Sequence, residues 1–228
     1  MKKLVIIPAY NEEHSIARVI QEVRQNAKDY DIVVVNDCSE DHTAEIARGC
    51  GAVVLDLAVN LGIGGAMQTG YRYALENGYS HAAQIDGDAQ HDPAYLDDMF
   101  DLLCSEKADM VIGSRFIEKQ GYQSSTLRRR GIRYFSRLIR LLTGQVITDP
   151  TSGMRIVNRE LIERFSEEYP ADYPEPESLV HLLKMKKKVI EAPVVMRERE
   201  EGRSSIRMKG SVYYMIKVTI AIILEKMR

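Results

Sequence analysis

Leu4-Val5-Ile6-Ile7-Pro8-Ala9-Tyr10-Asn11-Glu12-Glu13 decides how the chain is read. Four consecutive apolar residues form a strand with both faces buried. A polar cluster ends it, and a helical pattern follows over Glu12 to Gln25, where Ile16, Val19, Ile20 and Val23 recur at helical spacing. Fully apolar strands alternating with helices build a parallel sheet covered on both faces. The same unit repeats. Ile32 to Val35 is a second strand, and Ser39 is placed to cap a helix running to about Arg48. Ala52 to Leu57 is a third strand and Gly64 to Glu76 a third helix. His81 to Ile85 is a fourth strand ending at Asp86. Asp92-Pro93 opens a helix to Leu103, and Met110 to Ile112 is a fifth strand. The class is α/β, a mostly parallel central sheet with helices on both faces, in a single domain.

The second half is less regular. Residues 124 to 142 form a basic amphipathic helical pattern, and Asp149 to Gly153 a polar turn. Pro176 to Lys186 reads as helix, Val189 to Val195 as strand, and the tail as helix. The 228 residues suffice for one large domain, and no repeat or linker divides them. Thirty-one basic against 33 acidic residues give a net charge of −2, so nucleic acid is not an expected partner. Three cysteines, Cys38, Cys50 and Cys104, lack metal-type spacing and suit a reducing compartment. The apolar run at residues 3 to 8 is too short for a signal peptide. No run reaches the ~20 apolar residues of a membrane span; the nearest, Val212 to Leu224, is interrupted by Lys217.

In open parallel sheets ligands bind beyond the carboxyl ends of the strands. Four polar clusters fall there: Pro8 to Glu13, Asn36-Asp37, Asp86-Gly87-Asp88 and Gly113-Ser114-Arg115. Each alone could be a cap or a solvated turn. The sharpest is Asp86-Gly87-Asp88-Ala89-Gln90-His91. Two carboxylates two residues apart can face one cavity when the chain turns, and Mg²⁺ or Mn²⁺ takes one or two carboxylates plus substrate phosphates. Asp92 supplies a helix cap of its own, which leaves the earlier pair for other work.

These stretches, with Asn36 to Thr43, Asn60-Leu61-Gly62 and Gly64-Gly65-Ala66, resemble in order and spacing the family 2 glycosyltransferases of the GT-A fold. Gly113-Ser114-Arg115-Phe116 and Asp149-Pro150-Thr151-Ser152-Gly153-Met154-Arg155 resemble the dolichyl- and polyprenyl-phosphate sugar transferase branch. The resemblance implies roles. Pro8, Tyr10 and Glu12 would line the base and ribose pocket, with Asp37 on the base or ribose. Asp86 and Gly87 would hold the nucleotide-sugar, and Asp88 and Gln90 the metal. Residues 1–115 would form the nucleotide-sugar half of a domain spanning 1–210, and 116–210 the acceptor half. The expected activity is an inverting, metal-dependent transfer of a hexose-type sugar to a polyprenyl phosphate.

Arg128, Arg129, Arg130, Arg133, Arg137 and Arg140 crowd one segment and interleave with Ile132, Phe135, Leu138, Ile139 and Leu142. Such a helix reads as a membrane-surface binder or a phosphate wall, or else as an ordinary solvated face. Arg197, Arg199 and Ser204 belong to a second basic loop, which the branch resemblance would place over the phosphates; Ser205 stands where those enzymes often have Lys. Residues 211–228 form an apolar helix that must be buried in core, partner or lipid. The expected location is cytoplasmic and peripheral at the inner face of the membrane, with a small membrane protein as a further partner. A lipid phosphate is already an anion and needs no base, so arginines such as Arg115 would carry the catalysis. An acceptor hydroxyl, as in polysaccharide or cell-wall glycan synthesis, would need Asp149 or Glu177 as base. Asp149 could equally bind sugar hydroxyls. A non-catalytic nucleotide-sugar-binding subunit is the alternative from another class.

Overall fold

The computed structural model describes residues 1–122, 125–198, 215 and 217–220. Seven strands form one sheet: β1 (Lys3–Ala9), β2 (Tyr30–Asn36), β3 (Val53–Asp56), β4 (His81–Gln84), β5 (Met110–Ser114), β6 (Arg155–Asn158) and β7 (Val189–Pro193). Their order is β3-β2-β1-β4-β6-β5-β7. All neighbouring pairs are parallel except those of β6, which runs antiparallel to both β4 and β5. Arg155 at the start of β6 pairs with Gln84 and with Ile112, so β6 begins at the edge where β4 and β5 finish.

The helices are α1 (Ile16–Asn26), α2 (Thr43–Gly49), α3 (Gly62–Glu76), α4 (Leu96–Ser105), α5 (Thr126–Thr143), α6 (Arg159–Glu167) and α7 (Pro174–Lys184). Period-two alternation sorts β1 between two cores. Val5 and Ile7 pack with α1 and α4 residues such as Ile20 and Met99. Leu4 and Ile6 pack with Met67 of α3, Phe135 of α5, Leu161 of α6 and Leu179 of α7. Each fully buried aliphatic side chain is worth about 1.5–3 kcal/mol, which explains why the opening strand carries no polar residue after Lys3. Gly64 of α3 faces the 170–171 loop. A Cβ there would lie 2.1 Å from the Pro170 carbonyl oxygen, so only glycine lets this helix and loop meet.

Several elements differ from expectation. α1 starts at Ile16 rather than Glu12, because the Glu12 and Glu13 N–H groups donate to Thr43 Oγ1 at 2.8 Å and to the Asp41 carboxylate at 3.1 Å. Ser39 does not cap α2; its hydroxyl accepts the Asn11 N–H at 3.0 Å. Asp92 caps as expected, accepting the Ala94 N–H at 3.0 Å over a 3-10 turn, Pro93–Tyr95, that leads into α4. β6 and α6 were not legible in the sequence. β6 has four residues and opens on an arginine, and Asn158 at its end caps α6 through the Leu161 N–H. The expected C-terminal helix, 211–228, lies outside the described residues except for 215 and 217–220, which are helical. There Val218 is fully buried in the α5 core, Lys217 pairs with Asp172 at 2.6 Å and Thr219 meets Tyr134 Oη at 3.2 Å. No described helix is long and apolar enough to cross a membrane.

Candidate active site

The carboxyl ends of β1, β2 and β4 each break with a non-glycine residue at positive φ: Asn11 at 55°, Cys38 at 60° and Ala89 at 60°. Other such residues, Lys107 and Lys186, close helices α4 and α7, an ordinary use of that conformation. The first three do not, and left-handed backbone away from glycine costs about 1–3 kcal/mol. Interlocking loops hold them. Asp37 is buried; its N–H donates to the Ala9 carbonyl at 2.9 Å, and its carboxylate accepts the Leu61 N–H at 2.7 Å. Ser15 Oγ lies 2.9 Å from Glu12 Oε2 and 2.7 Å from the Gly87 carbonyl, so Glu12 and the β4 loop share one hydroxyl. Gly87 packs against Pro8, whose carbonyl oxygen would lie 3.2 Å from a Cβ. Tyr10 is exposed beside this cluster. Pro8, Tyr10, Glu12, Asp37 and Gly87 therefore lie at one edge, as the sequence implied.

In the loop after β4, the Asp86 N–H donates to His91 Nδ1 at 3.1 Å. The proton of the neutral ring then sits on Nε2, 3.7 Å from Asp86 Oδ2. Gln84 Nε2 donates to Asp86 Oδ1 at 3.0 Å. Gly153 closes over the same carboxylate: a Cβ there would stand 2.8 Å from Asp86 Oδ2. The 149–153 turn thus meets Asp86 because position 153 lacks a side chain. Asp88 Oδ1 accepts the Gln90 N–H at 3.1 Å. Gln90 Nε2 donates to the Arg197 carbonyl at 3.3 Å. Asp88 and Gln90 offer hard oxygen donors, as a hard divalent cation requires. Among the described residues no group of three or more His, Cys, Asp or Glu forms a metal cage. The pair fits a cation that completes its shell with substrate oxygens.

Across β6 the chemistry turns basic. Arg115 Nε and Nη2 donate to Asp149 Oδ2 and Oδ1 at 2.7 Å each, and Asp149 is 0% exposed. Arg115 Nη2 also reaches Thr151 Oγ1 at 3.2 Å. Arg155, 1% exposed, spends its guanidinium on the Ser152, Pro150 and Glu175 carbonyls and on Ser178 Oγ. It ties the 150–152 turn to the start of α7. Glu177, a sequence candidate for the base, instead lines a small cavity between α6 and α7 with Arg164, Phe165 and His181. Glu175, two residues earlier, is the carboxyl within electrostatic reach of Arg155, Asp86 and His91. Burial holds its pKa above the usual carboxylate range. Sequence reading missed it; Pro174 and Pro176, which mark a helix start, were the available signal.

Arg129 and Arg133 lie on α5, Arg133 exposed and Arg129 half-buried beside Thr126. Arg197 is committed elsewhere: Nη1 pairs with Glu22 at 2.6 Å and Nη2 with Asp92 at 2.9 Å. Two carboxylates thus engage its guanidinium, while its carbonyl accepts from Gln90 Nε2. Arg199 and Ser204 lie outside the described residues.

A mostly parallel sheet with its fourth strand ending in an acidic turn, and one antiparallel strand beside it, is the arrangement of the GT-A fold. The chain belongs to glycosyl transferase family 2, whose model matches residues 4–165. It is similar to an undecaprenyl-phosphate mannosyltransferase of Micrococcus luteus, 29% identical over 93% of this chain and 89% of that one. It is also similar to a polyprenol monophosphomannose synthase of Mycolicibacterium smegmatis, 28% identical over 92% and 82%. Among solved structures, glucosyl-3-phosphoglycerate synthase from Mycobacterium tuberculosis, in complex with Mn²⁺, UDP and phosphoglyceric acid, superposes with a TM-score of 0.77. That match has 20% identity and covers 99% of this chain and 78% of the other, which speaks to the fold.

Proposed function

We propose that this glycosyltransferase moves a hexose-type sugar from a nucleotide-sugar to a polyprenyl phosphate, with inversion, at the inner face of a membrane. The observation that carries the acceptor assignment is the outer face of α5. Arg130, Arg133, Arg137 and Arg140 are exposed there, and none has a partner among the described residues. Leu127, Tyr134 and Leu141, also exposed, recur every seven residues and form an apolar stripe beside them. A basic band alongside an apolar band suits anionic headgroups above acyl chains. A small membrane protein is a further partner in this reading.

Residues 1–115 form the donor half of this scheme. Pro8, Tyr10, Glu12 and Asp37 bind base and ribose, and Asp86 and Gly87 hold the nucleotide-sugar. Asp88 and Gln90 would hold Mg²⁺ or Mn²⁺, which when bound neutralises charge on the departing diphosphate. Residues 116–210 serve the acceptor. Arg115 holds the acceptor phosphate in line, and Asp149 orients Arg115. A buried carboxylate in a bidentate pair with arginine is poorly placed to take a proton, which agrees with an acceptor that is already an anion.

A sugar-hydroxyl acceptor is the second reading, and Glu175 favours it: a carboxyl of raised pKa near Asp86 suits a base. One experiment separates the two. The chain is incubated with Mn²⁺ or Mg²⁺, a panel of UDP- and GDP-sugars, and either a short polyprenyl phosphate or an oligosaccharide. Lipid-linked sugar of inverted anomeric configuration, lost on chelation, is expected. Sugar transferred to the oligosaccharide alone, and abolished by Glu175→Gln, would establish the second reading.

A further inference from the structure

The Asp149 and Thr151 contacts of Arg115 leave Nη1 as the nitrogen available to a phosphate oxygen. Where that edge points depends on where Asp149 stands, and Asp149 lies in a loop that no helix or strand contains. Glu191 of β7 holds that loop. Its Oε1 accepts the Asp149 N–H at 2.8 Å and the Thr148 hydroxyl at 3.0 Å, and its Oε2 accepts the Thr148 N–H at 2.8 Å. Three donors converge on one side chain, a demand that a carboxylate meets and an amide does not.

The contacts continue toward β5. The Thr148 hydroxyl, having donated to Glu191, accepts from Ser114 Oγ at 2.7 Å, and Ser114 Oγ accepts the Phe116 N–H at 3.3 Å. The residues on both sides of Arg115, and the carboxylate that grips it, are thus referred to one group. We propose that Glu191 is a positioning residue for transfer: it sets the Arg115 guanidinium through Thr148 and Asp149 without touching substrate. This rests on the acceptor role given to Arg115 above. Burial holds the Glu191 carboxyl above its ordinary range, and the Thr148 and Asp149 donors offset that only in part; the three hydrogen bonds, not the charge, fix the loop.

Glu191→Gln keeps the side chain's size and removes one of its two acceptor oxygens. Transfer to the short polyprenyl phosphate is measured with Mn²⁺ and the nucleotide-sugar that the panel identifies. The expected kcat falls about 10- to 100-fold, as for an ångström-scale misplacement, while the donor KM stays within about twofold. The decisive arm is a cycle with Arg115→Ala. If Glu191 acts through Arg115, Glu191→Gln costs less than about twofold more in that background. Equal proportional losses in both backgrounds, or full kcat in the single variant, overturn the proposal. Should Glu191→Gln fail to fold, Thr148→Ala removes one of the three donors; its kcat loss should likewise vanish with Arg115→Ala, and no loss at all overturns the idea. A wild-type chain that uses only a hydroxyl acceptor refutes the lipid-phosphate assignment, and the same cycle run on that acceptor still decides Glu191.

Discussion

Gly153 and Asp86 touch as backbone against carboxylate, and Gly153→Ala would force them apart. The new methyl would meet Asp86 Oδ2 at 2.8 Å and Gln84 Nε2 at 3.0 Å. Overpacking of this kind costs about 1–3 kcal/mol. Nucleotide-sugar affinity should fall about tenfold, measured by titration calorimetry. Asp41 gives a prediction in pH. Although desolvation pushes it upward, the Thr43 hydroxyl and the Thr43 and Glu13 N–H groups hold it below its ordinary value of 3.8. A depressed folded pKa contributes stability that is present above 3.8 and lost as pH falls through the lowered value. Hydrogen exchange at the Glu13 and Thr43 amides should therefore quicken only under strong acid. Asp37, Asp86 and Asp88 were legible from the sequence because they stand just past strands, and Gln90 came through the family resemblance. Glu175 and Glu191 were not. The prolines beside Glu175 mark a helix start and not a chemical role, and both carboxyls gain theirs from what the fold packs against them.

Among the elements, α5 was read correctly as a basic amphipathic helix, since a stripe of period 3.6 survives without any partner. Its function is tested by charge. A basic residue near an anionic bilayer is worth about 1 kcal/mol, so Arg133→Gln with Arg137→Gln should weaken flotation with anionic liposomes about 25-fold. Neutral liposomes should show little difference. β6 was hidden for the opposite reason: four residues are too few to show a period, and Arg155 breaks the apolar run. That arginine is among the largest fully buried side chains. Arg155→Met would strip the Ser152, Pro150 and Glu175 carbonyls of their donor. The expected destabilisation is about 3 kcal/mol or more, read from urea denaturation.

At the scale of the whole molecule, a net charge of −2 conceals a sharp division. Acidic turns follow β1, β2 and β4, whereas the arginines gather after β5 and on α5. The parallel strands of the first half were legible because each is apolar and followed by a helix. The pairing across β6 depends on contacts between distant parts of the chain, which local patterns do not encode. That reversed strand has a consequence for how such enzymes can diversify. The chain leaves the sheet after Ser114 and returns at Arg155, and β5 and β6 are bonded neighbours. Adjacent strands stand about 4.8 Å apart, so everything from 116 to 154 is a detour whose two ends are already joined. Such a detour can be exchanged as a cassette if the replacement keeps Phe135 in the core with Leu4 and Ile6 and Gly153 against Asp86. A chimera taking this segment from a relative with a different acceptor should keep its affinity for nucleoside diphosphate and Mn²⁺ within about threefold, by titration, while its acceptor preference follows the graft. Inheritance of donor and acceptor choice would then be separable at two cut points, set by one strand that runs the other way.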